Sequence, residues 1–222
     1  MGDPSRLRAG LAERWALLMQ DLGVEHPGTD RSAAVGARVL DAYADPRRGY
    51  HDLRHLAEVL DHVDALAGPT HDVGAVRLAA WFHDAVYEAG GVRGADEEAS
   101  AVLAEQLLPG LGVATATVAE VARLVRLTAS HHPAEGDTDG AVLCDADLAV
   151  LARDPAGYSS YVAGVRREYA HVPDEDFRAG RAGVLQALLD QPRLFRTGTG
   201  HDRWEEAARS NLAAELARLT SR

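Results

Sequence analysis

Apolar residues in this chain return every three to four positions, and prolines stand between the stretches in which they do. Leu53, Leu56, Val59, Leu60 and Val63 share one side of a 3.6-residue helix. So do Val118, Val121, Leu124, Val125 and Thr128, and later Leu212, Leu216 and Leu219. Pro27, Pro46, Pro69, Pro109, Pro133, Pro155, Pro173 and Pro192 separate segments at roughly 6–22, 30–43, 52–66, 73–88, 95–108, 115–130, 158–170, 174–190 and 203–219. Runs that alternate apolar with polar are absent and aromatic residues make up only 5%, which leaves strands little support. The pattern predicts an all-α fold of about nine helices with short connections. No linker, charge block, repeat or low-complexity tract divides the 222 residues, so 1–222 reads as a single domain with room for a buried core.

The net charge of −11 repels a polyanionic backbone and argues against a nucleic-acid polymer as partner. A small phosphorylated substrate stays open, because a bound metal and a few Arg reverse the local sign. All 23 basic residues are Arg, which rules out a lysine Schiff base or a P-loop lysine. The single Cys144 permits no internal disulfide and no cysteine-based zinc cluster, and its apolar neighbours suit a small buried hydrophobe. There is no apolar run of membrane length and no signal-peptide pattern, and Arg6 spoils the Met1-Gly2 opening as a myristoylation signal. These features predict no membrane partner and a cytoplasmic protein; the oligomeric state is left open. Two connections, 89–94 and 135–140, are richer in Gly than turning requires and are expected to be solvent loops, with lids over a site as the alternative.

The chemistry is carried by His and Asp. His51 and His55 are four apart and share a helix face. His83-Asp84 interrupts the apolar stretch from Ala79 to Val86, where an ionised Asp needs a cation or donors. His131-His132 closes an amphipathic helix, and Asp145 and Asp147 sit inside the apolar run Cys144-Asp-Ala-Asp-Leu148. Taken singly, each has a structural explanation: a satisfied core His, an Asp paired with Arg, or Asp145 as the N-cap of a following helix. Together, imidazoles and carboxylates are the ligand set of a divalent site with open positions.

The order and spacing add to this. His55 is followed 28 residues later by the His83-Asp84 pair, and Asp147 lies 63 residues beyond Asp84. In this the sequence resembles the HD superfamily of metal-dependent phosphohydrolases, whose motif is H…HD…D on a helical bundle. Arg48-Gly-Tyr-His51-Asp-Leu-Arg-His55, Trp81-Phe-His83-Asp84-Ala-Val-Tyr87, Glu97-Glu-Ala-Ser100, Arg166-Arg-Glu168-Tyr169 and Gly180-Arg181 are similar to a bacterial subgroup of predicted HD phosphohydrolases, over about residues 10–219. Ala95-Asp96 departs from that subgroup's Asp-Asn before the Glu. The resemblance implies a single-domain HD-type bundle. It implies His55, His83, Asp84 and Asp147 as metal ligands, with Asp145 as the alternative to Asp147.

On this basis one divalent ion (Mn²⁺, Fe²⁺, Co²⁺, Ni²⁺, Zn²⁺ or Mg²⁺) is expected to activate water against a nucleotide or another small phosphate ester. Asp84, Glu97 and His131 are the candidate catalytic residues, and Glu88 is a weaker candidate for proton transfer. Glu97 also suits a plain first-turn acid favoured by the helix dipole. Arg48, His51, Arg166 and Arg181 are the candidates for substrate binding, since Arg grips phosphate bidentately. Tyr50 suits either base stacking or packing at a helix start. His51, His131 and His132 leave open a second metal. With it comes a di-iron oxygenase in which His131 is a ligand and Asp84 bridges. A non-catalytic small-ligand binder with a structural metal is the further alternative.

Overall fold

The computed structural model describes residues 3–24, 30–68, 71–92 and 94–221, and all regular structure among them is helical. Ten α-helices follow in order: α1 Pro4–Asp21, α2 Asp30–Tyr43, α3 Leu53–Leu66, α4 Val73–Phe82, α5 Ala95–Leu107, α6 Thr115–Leu127, α7 Thr138–Leu148, α8 Pro155–Glu168, α9 Asp174–Leu189 and α10 Gly198–Thr220. Pro109–Leu111 and Ala149–Ala152 form single 3₁₀ turns. None of these helices is long and apolar enough to cross a membrane. Pro27, Pro69, Arg93 and the Met1-Gly2 opening lie outside the described residues.

Acidic N-caps explain where several helices begin. Asp3, Asp52, Asp72, Asp137 and Asp154 each accept a hydrogen bond from a first-turn backbone N–H, and Thr197 does so for α10. Such a cap stabilises a helix by about 1 kcal/mol. Pro155 is the first residue of α8, where its missing N–H costs nothing, rather than part of the connection before it.

Two elements differ from the sequence expectation. The 135–140 stretch is not a plain loop: α7 starts within it at Thr138, so Asp145 and Asp147 ride on a helix instead of preceding one. Helix α7 escapes periodicity because Gly140, Ala141, Val142, Leu143, Cys144, Asp145, Ala146 and Leu148 are all buried, leaving no polar face to mark the turn. Helix α4 ends at Phe82 rather than continuing to 88, and it too is buried on nearly every side.

Buried apolar residues form two clusters. The first joins α1–α6 and the middle of α7 around Trp15, Leu56, Leu60, Trp81 and Phe82. The second joins the turn after α7 with α8–α10 around Tyr158, Leu185, Phe195 and Leu212. Leu66 packs against both. Where they meet, Gly49 and Gly164 bring two backbones together: a Cβ on Gly164 would stand 2.7 Å from the Gly49 carbonyl oxygen. Only Gly permits that approach. The packing of α3 on α4 and α7 brings the first turn of α3, the C-terminus of α4 and the last turn of α7 to one place beside this seam.

Candidate functional site

At that place four side chains converge. His55 is held in the first turn of α3 by the Asp52 cap, which accepts its backbone N–H. His83 caps the C-terminus of α4, and Asp84 follows it. The two Nε2 atoms stand 3.0 Å apart. Asp84 Oδ2 lies 3.3 Å from His55 Nε2 and 3.1 Å from His83 Nε2. Asp147 Oδ1 lies 3.2 Å and 3.7 Å from the same two nitrogens. His55, His83 and Asp84 each offer a ligating atom within 4.8 Å of the others, and Asp147 reaches both imidazoles.

This donor set fits a divalent ion. Ligands about 2.1 Å from a common ion are separated by about 3.0–3.4 Å; every quoted separation but one falls in that range, the exception being Asp147 to His83 at 3.7 Å. His83 Nδ1–H donates to the Ala80 carbonyl at 2.8 Å, so in the neutral ring Nε2 carries the lone pair that a metal needs. Both imidazoles are almost wholly buried, and so would hold two carboxylates in a region of low polarity. In the metal-free protein, protons balance those carboxylates. Burial works against charge on His55, but the hydrogen bonds and charges of Asp147 and Asp84 outweigh it and lift the imidazole to about 10. His83 is raised for the same reason. Burial pushes the Asp84 and Asp147 carboxyls up, yet the facing imidazoles hold both well below the usual carboxylate range.

A second layer orients this set. The Asp84 backbone N–H donates to the Tyr43 hydroxyl at 3.2 Å. His131 Nε2 is 2.7 Å from Asp147 Oδ2, the oxygen turned away from the imidazoles. His131 takes a left-handed backbone (φ 50°) to do this, unusual for a residue other than Gly. Its backbone N–H meanwhile closes α6 on the Leu127 carbonyl. Glu168, at the end of α8, accepts from the backbone N–H groups of Tyr50 and His51 at 2.8 and 2.9 Å and from the Tyr87 hydroxyl at 2.9 Å. Its Oε2 is also 2.8 Å from His51 Nδ1. Burial pushes Glu168 up, but these donors hold it near 2. The carboxylate therefore sets the His51 ring, which lies against Tyr87 at 4.2 Å between centroids and leaves Nε2 as its other nitrogen. Glu168 lies in the Arg166-Arg-Glu168-Tyr169 stretch, but nothing local in the sequence marks it as a partner of Tyr50 and His51, more than a hundred residues away.

Several sequence candidates are placed elsewhere. Arg48 is turned to backbone: its guanidinium donates to the carbonyls of His51 and Asp84 at 3.0 and 2.8 Å and lies over the Tyr43 and Tyr87 rings. It clamps the non-helical step after α4. Arg166 is committed to the carbonyls of Tyr169 and Val172 and to Asp174. Arg181 is committed to Glu215 and to the Tyr161 hydroxyl inside the second core. Glu97 sits in the first turn of α5, joined to the cluster by no hydrogen bond or ion pair among the described residues. Glu88 is exposed beyond the end of α4. His132 turns to Arg196. Asp145 accepts from the backbone N–H groups of Arg196 and Thr197 and from the Thr197 hydroxyl, tying down the start of α10. Asp147, not Asp145, therefore meets the imidazoles. Cys144 is buried, and burial pushes its thiol up.

A cleft of about 310 Å³ opens beside the cluster. His55 and Asp147 are among its lining residues, with Tyr50, Glu58, His62, Arg153, Trp204 and small apolar side chains from α3, α7 and the turn after α7. Arg153 escaped the sequence analysis because no local pattern separates it from the other Arg residues. The chain matches no protein-family model, and no curated protein matches it either.

Proposed function

We propose that this protein is a metal-dependent phosphohydrolase of the HD type, acting on a nucleotide or another small phosphate ester. One observation carries the proposal: two imidazoles and two carboxylates, drawn from three separate helix ends, meet within 3.0–3.7 Å beside an open cleft. His55, His83, Asp84 and Asp147 would hold the ion. When bound, a divalent ion supplies Lewis acidity toward a phosphoryl oxygen and toward water. The protein's own groups do the positioning. The Ala80 carbonyl keeps His83 in the ligating tautomer, Tyr43 anchors the Asp84 backbone, and His131 fixes the rotation of the Asp147 carboxylate. His51, steadied by Glu168, can hold or release a proton at Nε2 toward the leaving alcohol.

Elemental analysis of unstripped protein tests this, joined to hydrolysis of a phosphomonoester and nucleotide panel before and after chelation. Near-stoichiometric divalent metal and hydrolysis that chelation abolishes are expected. Asp84→Ala is expected to lose both while the helical circular-dichroism signal survives; full metal occupancy in that variant would refute the site. Metal affinity should also rise with pH from about 6 to about 9, because an imidazole lifted to about 10 must release its proton to solvent before its nitrogen can ligate an ion.

A further inference from the structure

We propose that Tyr50, Glu58 and Arg153 form the recognition wall of the cleft, with Arg153 and Tyr50 taking the phosphoryl oxygens of a phosphomonoester and Glu58 accepting a hydroxyl of its alcohol part. The inference rests on the phosphohydrolase proposal only for the identity of the ligand.

Three observations support it. First, the cleft shares His55 and Asp147 with the cluster, so whatever enters it lies against the candidate ligands. Its volume falls at the low end for small-molecule sites, which suits a monoester and not a polymer. Second, Tyr50 lines the cleft, and its hydroxyl is buried with no hydrogen-bond partner among the described residues. Burial is the largest influence on it; of the ionisable groups that also act on it, Asp147, Glu58 and Arg153 line the cleft, while Tyr161 packs against its ring. An unsatisfied buried hydroxyl costs about 1–3 kcal/mol, and a ligand oxygen in the cleft would relieve it. Third, among the described residues Arg153 is the one Arg lining this cleft, and its only salt bridge there is to Glu58, one helical turn beyond His55. Asn211 Nδ2 donates to the carbonyls of Leu151 and Arg153 at 2.9 and 2.8 Å, which fixes the backbone that presents the guanidinium. The pair is half-exposed, so its internal attraction is weak and an entering dianion can compete for Arg153. Glu58 is then released as an acceptor. Burial raises its carboxyl, consistent with a group that gains from a donor.

The test is calorimetric titration of inorganic phosphate into Mn²⁺-loaded protein, with metal content measured in parallel. Arg153→Gln should weaken phosphate binding about tenfold or more, and Tyr50→Phe several-fold, with bound Mn²⁺ retained. Glu58→Gln should tighten phosphate binding, because the competing counter-ion is gone, and should lower kcat/KM for ribose 5-phosphate relative to phenyl phosphate. A purely structural ion pair would not give opposite signs for its two halves. Unchanged phosphate affinity in Arg153→Gln, with ester hydrolysis intact in the parent protein, would overturn this inference and leave the phosphohydrolase proposal standing. Phosphate binding that needs Arg153 in a metal-loaded protein that hydrolyses no phosphate ester would support the anion site and defeat the phosphohydrolase proposal.

Discussion

Two buried polar networks in this molecule invite comparison. In the second core, Arg181 donates to both oxygens of Glu215 at 2.9 and 3.1 Å, Tyr158 donates to Glu215 at 2.5 Å, and the Tyr161 hydroxyl accepts from Arg181. One cation meets one anion and the hydroxyls complete the set. At the edge of the first core, two carboxylates face two imidazoles, and no Arg side chain among the described residues forms an ion pair with either acid. Arg48 comes nearest in role, but it stops at backbone carbonyls. A network with its own permanent cation is complete at any ordinary pH. One whose only internal cations are imidazolium protons exchanges them for any ion that binds better. The two networks thus use similar residues and differ in where the positive charge comes from.

The comparison can be broken most forcefully at Arg181. Arg181→Leu should cost about 3–5 kcal/mol by leaving Glu215 buried and unpaired, read as a lower midpoint in denaturant. Metal content per folded molecule should not change; its loss would mean that the two networks are coupled. The double variant Arg181→Leu with Glu215→Leu should recover most of that stability. Acid unfolding gives the next largest effect. Glu168 sits near 2 against an ordinary 4.5. Its stabilisation is therefore complete above about pH 4.5 and fades as pH falls toward about 2, a loss of about 3 kcal/mol. Glu168→Gln should flatten that part of the stability profile. His131→Gln should weaken divalent-metal affinity about 10–100-fold, the usual range for a residue that orients a ligand. The smallest effect is expected at Arg126, paired with the exposed Glu98 and Glu105. Arg126→Ala should change stability by no more than about 1 kcal/mol, and a larger loss would undo the distinction between surface pairs and buried networks.

The amphipathic helices were legible because their message is local. Leu56, Val59, Leu60 and Val63 face the first core just as their spacing required. Helix α7 was not legible, since a helix buried on every side has no periodic contrast. The candidate site was legible in part: His83-Asp84 and Asp145/Asp147 stand out as ionisable groups in apolar runs and His55 by its spacing from His51, while the set of His55, His83, Asp84 and Asp147 rested on the family resemblance. Which Arg lines the cleft was not. Twenty-three chemically identical side chains offer no local mark that separates Arg153 at a cleft from Arg181 in a core.

Residues three and four apart along a helix must lie near one another, so helical class follows from the order of amino acids alone, as does the presence of His and Asp within apolar stretches. The end of α4 at Phe82 does not. The segment beyond it stays out of the helix because Arg48 takes the Asp84 carbonyl and Ser100 bonds both the N–H and the carbonyl of Val86. Those partners lie 36 and 14 residues away in sequence. The meeting of His55 with Asp147 likewise waits on the packing of α3 against α7, an arrangement set by two hydrophobic cores that no local stretch of chain encodes.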